Sequence, residues 1–172
     1  MLDRLISLTA LPNLHPALVH FPVALLLTAL ALDVSLVVVR RWGWLDRAAA
    51  LLYSLGAAGS VAAYLSGRQV ANGMRGLSGE AEAAMWEHSD MALIATAGFA
   101  AIAVLRVIVV RRDACCGAIR MGPFRVAVLI AATSEQALVF ATADRGGALV
   151  FRHSIGVSKS AGADPVQNVS NR

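Results

Sequence analysis

The chain has 172 residues, of which 58% belong to the hydrophobic class and only 15% are charged. A soluble domain is about 45–50% apolar and about 25% charged, so the composition excludes an ordinary soluble protein and indicates a membrane protein. The net charge of +4 at pH 7 is not concentrated in a basic patch interleaved with aromatic residues. We therefore expect no nucleic-acid partner and a lipid bilayer as the surroundings.

Apolar stretches of the length that a helix needs to cross a bilayer, roughly 20 residues, recur along the chain. They predict an all-α fold, a four-helix transmembrane bundle with up-down-up-down topology, within a domain at residues 1–157. The predicted spans lie at about residues 16–39, 44–65, 88–110 and 124–143.

The segments outside the spans differ from one another in pattern. Residues 1–14 are amphipathic, and we expect them to lie along the membrane interface. Residues 67–79 are rich in glycine and predict a connection, and Gly146-Gly147 predicts a turn after the fourth span. Residues 149–157 then form a short surface or re-entrant segment, and residues 158–172 have the composition of a disordered tail.

Charged residues predict the orientation of the bundle. One face of the membrane holds the connection between spans one and two and the connection between spans three and four. The residues at this face include eight arginines but only two acidic residues, Asp46 and Asp113. Basic residues are retained in the cytoplasm, so we expect both termini on the extracytoplasmic side. The strong positive flank of the first span is at the wrong end for a cleavable signal peptide, so we expect none. The eight arginines are Arg40, Arg41, Arg47, Arg106, Arg111, Arg112, Arg120 and Arg125.

Signatures of soluble enzymes do not occur in the sequence. It has no Gly-rich phosphate loop, no GxSxG elbow, no HExxH zinc motif and no CxxCH motif for covalent haem attachment. The adjacent Cys115 and Cys116 could bridge only with strain, so we expect reduced thiols. These patterns favour an electron carrier or a subunit of a complex over a stand-alone enzyme.

Histidines are predicted to gather at one side of the membrane. His15 and His20 begin span one, His88 begins span three, and His153 follows span four. Imidazole is a common metal ligand, and a haem also needs small residues where its flat ring meets the helices. Small residues at helical spacing are also the ordinary contacts through which membrane helices pack. They are Gly56, Gly59, Ser60, Ala63, Ala92, Ala95 and Gly98.

Ionisable residues inside the spans are the second candidate feature. Asp33 and Arg106 are predicted at a similar depth near the cytoplasmic side, and we expect a buried ion pair between them. Glu135 lies deeper in span four without a basic residue at its depth. It is a candidate for a proton relay or a metal ligand beneath the histidines, or for a protonated carboxyl bonded to another helix.

Two end motifs resemble those of domain-of-unknown-function family 2231. The first is HPALVHFPVALL at residues 15–26, followed by Asp33, and the second is GGALVFRHSIGV at residues 146–157. The resemblance covers about residues 14–157 and includes His88, whereas Phe151 and Ser154 stand where the second motif usually has Tyr and Gly. It implies a four-helix bacterial membrane protein, similar to b-type membrane cytochromes, with redox work near the periplasmic face.

These observations lead to three hypotheses of function. The first is an electron-transfer protein that binds haem b near the periplasmic face and connects a membrane quinone with a periplasmic carrier. His20 and His88 are the expected axial ligands, with His153 and His15 as a second pair or as supporting contacts. The others are a cofactor-free structural subunit of a respiratory or photosynthetic complex, and a Cu or Zn protein that uses the same histidines.

Overall fold

The computed structural model describes residues 14–39, 42–116 and 121–156, apart from the side chain of Cys116. These residues form four antiparallel helices: α1 (His15–Val38), α2 (Gly43–Gly73), α3 (Gly79–Cys116) and α4 (Pro123–Phe151). Each helix packs against two neighbours in the cyclic order α1, α2, α3, α4, and the seam between α1 and α4 is the least extensive. The predicted interfacial segment before residue 14 and the predicted tail lie outside the described residues.

The length and composition of all these helices suit a membrane span. The shortest, α1, has 24 residues, which corresponds to about 36 Å and exceeds the roughly 30 Å of bilayer hydrocarbon. Proline stands in the first turn of α1 and of α4, where its missing N–H breaks no helical hydrogen bond. Large apolar side chains cover the outside of the bundle, as a lipid environment requires: Leu51, Ile94, Val104, Ile130 and Phe140 are 59–61% exposed.

Several helices are longer than the sequence predicts. Helix α2 continues to Gly73 instead of about residue 65. Helix α3 begins at Gly79, in agreement with the prediction that the acidic segment 80–87 begins the third helix ahead of its apolar span. Helix α4 continues through Gly146-Gly147, where the turn prediction is wrong. The glycines do not end these helices because the segments pack against neighbouring helices, and such tertiary contacts outweigh the low helix propensity of glycine.

The chain leaves α4 through a compact turn. The amides of Ser154 and Ile155 donate to the carbonyls of Val150 and Leu149. Ser154 has φ +54°, a left-handed conformation that glycine adopts more easily than residues with a Cβ atom. This backbone conformation explains why the second end motif, at residues 146–157, usually has glycine at the position of Ser154.

The buried core occupies the middle of the bundle. It includes Leu26, Tyr53, Phe99, Ile102 and Ala132, which are at most 4% exposed. A Cβ atom on Gly56 would lie 2.7 Å from Cγ of Leu26, so this glycine permits α1 and α2 to approach closely. The core separates two ends with different chemistry. We call them the histidine end, around His15 and His88, and the arginine end, around Arg106 and Arg125.

Candidate functional site

The histidine end contains a cavity of about 700 Å³ that residues from all the described helices line. On α1 the lining residues His15, Val19, Pro22 and Leu26 follow one helical stripe, with His20 at its margin. The corresponding stripe on α3 contains Met85, His88, Ala92, Ala95 and Phe99. Because Leu26 and Phe99 also belong to the buried core, the inner end of the cavity rests on that core.

His15 is held against α2 by its ring nitrogen. Its Nδ1 lies 2.9 Å from the carbonyl oxygen of Ala63 and 3.0 Å from Oγ of Ser66. A carbonyl oxygen can only accept, so Nδ1 carries the proton and the lone pair of the ring is on Nε2. The ring also lies against Gly67, where a Cβ atom would come within 2.8 Å of Cε1. Gly67 therefore provides the space that His15 occupies.

His88 repeats this arrangement on the diagonal helix. Its Nδ1 donates to the carbonyl oxygen of Thr142 on α4 at 3.0 Å, which again places the lone pair on Nε2. The ring lies against Gly146, where a Cβ atom would be 3.0 Å from Cε1. His15 and His88 line the same cavity from diagonal helices. Backbone carbonyls orient metal-ligating histidines in the same way.

The other two histidines have different surroundings. His20 is exposed at the margin of the cavity, and its Nδ1 donates to the carbonyl of Pro16 on its own helix. His153 is half-buried in the turn after α4 and is not among the residues that line the cavity. Within residues 14–39, 42–116 and 121–156, no three His, Cys, Asp or Glu side chains come together as a metal site.

Arg68 brings a positive charge to the cavity. This half-buried residue of α2 lines the cavity, and its guanidinium lies 4.9 Å from the ring centroid of Trp86. Its Nη1 donates to Oγ of Ser89 at 3.4 Å. Arg68 falls within residues 67–79, which the sequence predicts as a connection, and no role is predicted for it. A basic residue next to Gly67 on the inward stripe of α2 would have been the signal.

The arginine end contains a buried ion network that includes the predicted pair. Arg106 Nη2 lies 2.6 Å from Asp33 and 2.9 Å from Asp46. Arg125 contacts Asp46 at 2.8 Å and Asp113 at 2.6 Å. The network thus connects side chains from α1, α2, α3 and α4. Of these contacts the sequence predicts only the one between Asp33 and Arg106, because Asp46 and Arg125 lie in the first turns of their helices and resemble loop charges.

Glu135 lies in the middle of α4 and is not among the residues that line the cavity. Its carboxyl packs directly against Gly98 of α3. Within the described residues, Oε1 of Glu135 and both amide atoms of Gln136 have no hydrogen-bond partner. The predicted relay residue is therefore near the bundle interior but separate from the histidines.

The small residues predicted for the site divide into two groups. Ser60, Ala63, Ala92 and Ala95 line the cavity. The glycines instead form helix-packing contacts: Gly56 with Leu26, Gly59 with Phe21 and Pro22, and Gly98 with Glu135.

Comparison with known proteins assigns the chain to a family. The family model described as predicted membrane protein, DUF2231, matches residues 11–159. The chain belongs to the DUF2231 family. No curated protein and no solved structure matches it.

The two end motifs that resemble those of DUF2231 meet at the cavity. The first motif begins α1 and contributes His15, Val19 and Pro22, and the second closes α4 and contributes Gly146 and Gly147. These motifs are more than 100 residues apart in the sequence, but the antiparallel order of the helices brings them to the same end. The cavity is thus the feature that the motif residues of this DUF2231 protein build together.

Proposed function

We propose that this DUF2231 protein binds haem b in the cavity at the histidine end and transfers electrons in the membrane. The observation that carries the proposal is the matched pair His15 and His88. The two imidazoles stand on diagonal helices, line one cavity, and are each oriented by a backbone carbonyl. When bound there, haem would supply one-electron redox chemistry.

The size and the lining of the cavity support this proposal. Its lining is mainly apolar, and a volume of about 700 Å³ lies within the range of small-molecule and cofactor sites. Ala63, Ala92 and Ala95 have small side chains, which would leave space for a flat ring against these helices. Gly67 and Gly146 permit both imidazoles to sit against neighbouring helices without a clash. Helix bundles commonly build cofactor sites in this manner, from side chains on facing helices.

Geometry favours His15 and His88 as the ligands over the pair His20 and His88 that the sequence predicts. His15 begins the inward stripe of α1, is half-buried, and is oriented by another helix. His20 is exposed, lies at the margin, and bonds to its own helix. Two imidazole ligands would produce a low-spin haem whose potential depends on burial and on the hydrogen bonds at Nδ1.

We further propose that the histidine end faces the periplasm of a bacterial inner membrane. Arg47, Arg111 and Arg112 are exposed at the opposite end, and Asp46 and Asp113 are taken up by the buried network there. That charge asymmetry supports a cytoplasmic arginine end. A haem near the outer face would connect a membrane quinone with a periplasmic electron carrier.

Absorption spectra of the purified protein, oxidised and dithionite-reduced, test the proposal. We expect a low-spin haem b signal in the wild type that His88→Ala and His15→Ala each abolish. His20→Ala and His153→Ala should retain it, and all variants should still insert in the membrane because insertion depends on the apolar spans. Loss in His20→Ala with retention in His15→Ala would instead identify His20 as the second ligand.

Measurements on the same purified protein also test the two other hypotheses. A wild-type protein without any haem signal that copurifies with neighbouring subunits would favour the structural-subunit hypothesis. Stoichiometric copper or zinc, lost in His88→Ala, would favour the metal hypothesis. Either result would overturn the haem proposal.

A further inference from the structure

We infer that Arg68 forms an anion-binding subsite of the cavity and receives a carboxylate of the bound molecule, which for haem b is a propionate. The inference rests on the proposed function, since it concerns the same cavity. It assigns a positioning role to a residue outside both end motifs.

The position of Arg68 relative to the two imidazoles is the first argument. Arg68 directly follows Gly67, against which the ring of His15 lies. Its guanidinium reaches α3, where it contacts Trp86 and Ser89 on either side of His88. The positive charge is therefore placed at the level of both proposed ligands.

The restraint on the guanidinium is the second argument. The ring of Trp86 covers one side of it at 4.9 Å, and the hydroxyl of Ser89, a residue only 9% exposed, accepts from Nη1. A guanidinium has five N–H donors in a planar fork that matches a carboxylate. Trp86 and Ser89 restrict the side chain but do not neutralise its charge.

The missing counter-charge is the third argument. Among the described residues, Arg68 contacts no carboxylate, whereas Arg106, Arg125 and Arg145 each contact one. An unpaired charge beside an apolar cavity is costly unless a ligand supplies the opposite charge. The two carboxylates of haem b are on the same edge of the ring, so a positive charge at one side of the cavity could receive them. The phosphate of a lipid headgroup has the same anionic chemistry and is the alternative source.

Haemin and haemin dimethyl ester form the matched pair of probes, because they share the iron and the ring but differ in free carboxylates. Their affinities are measured by absorbance titration of the purified protein in detergent. A hydrogen bond to a charged group contributes about 1.5–3 kcal/mol, so we expect the wild type to bind haemin about tenfold or more tightly than the ester. Arg68→Gln should reduce this ratio to near one, and Arg68→Lys should retain part of it.

Arg145→Gln is the control, because Arg145 lies at the same end but pairs with Glu87 and does not line the cavity. It should keep the wild-type ratio. Circular dichroism and retained binding of the ester identify variants that are folded. Equal wild-type affinity for both probes would overturn the role of Arg68 and leave the haem proposal intact, whereas no binding of either probe would overturn both. Competition by phosphatidylglycerol in the wild type and not in Arg68→Gln would assign the subsite to lipid phosphate instead.

Discussion

Gly67 and Gly146 have the same function at the residue scale, since each makes room for an imidazole on the neighbouring helix. The histidines themselves can be identified from the sequence, because few other residues offer such ligand chemistry. The glycines cannot, because a glycine near the end of an apolar span has the same appearance whether it ends a helix or receives a ring. The contact of Gly146 with His88 becomes evident only when α3 and α4 are packed together.

The neighbouring glycines Gly146 and Gly147 provide a matched test of this function. Alanine in a helix interior is ordinarily more stable than glycine by about 1 kcal/mol. Gly147→Ala should stabilise the protein accordingly, because no atom lies within 4 Å of its new Cβ. Gly146→Ala should be the less stable variant, because its Cβ would lie 3.0 Å from Cε1 of His88. Thermal unfolding of the cofactor-free protein in detergent measures both. Equal stabilisation would show that the ring of His88 is not confined by Gly146.

At the scale of helices, ion pairs connect the helices at the arginine end, whereas close packing of side chains connects them in the middle of the bundle. The ion pair between Asp33 and Arg106 can be predicted from the sequence because both residues lie inside apolar spans. The number of residues between each of them and the end of its span indicates a similar depth in the membrane. The contacts of Asp46 and Arg125 cannot be predicted in this way, because residues at helix starts usually face water. Asp46 and Arg125 are only 3% and 7% exposed. They are buried where they contact charged residues of other helices.

A double-mutant cycle with Asp33→Asn and Arg106→Gln measures the strength of this junction. Removal of one partner of a buried ion pair typically costs about 3–5 kcal/mol, because the other charge remains buried. We expect Arg106→Gln to cost more than Asp33→Asn, since Asp46 still contacts Arg106 when Asp33 is neutral. The double variant should cost less than the sum of the single changes.

The exposed pair Glu87 and Arg145 serves as the reference for that cycle. Its side chains are 61% and 41% exposed, so its coupling energy should stay below about 1 kcal/mol. Both cycles are followed by the free energy of unfolding in mixed detergent micelles. Additive losses for Asp33 and Arg106 would mean that they are not energetically coupled.

For the whole molecule, hydropathy alone predicts the helical fold and its topology. The helix ends are less predictable, because glycine-containing segments such as residues 67–73 stay helical through contacts with other helices. The cavity is not predictable at all from one sequence. It is the space that remains after large side chains such as Leu26 and Phe99 have packed beneath it.

The proposed orientation is tested with Cys115, an exposed free thiol at the arginine end. A membrane-impermeant maleimide should label it in inside-out vesicles and not in intact spheroplasts, because the arginine-rich side stays in the cytoplasm. Ser78→Cys in a Cys115→Ser, Cys116→Ser background is the matched control at the opposite end and should show the reverse pattern. Labelling of Cys115 from outside would invert the topology and place the proposed haem near the cytoplasm.

The seam between α1 and α4 has a topological property that the other seams lack. Loops tie α1 to α2, α2 to α3 and α3 to α4, whereas the first and last helices are neighbours in space without a direct connection. Both helices line the cavity, α1 with residues such as His20 and α4 with Gly147 and Val150. Among the described residues, a hydrophobic ligand that entered the cavity between α1 and α4 would therefore cross no connection between helices.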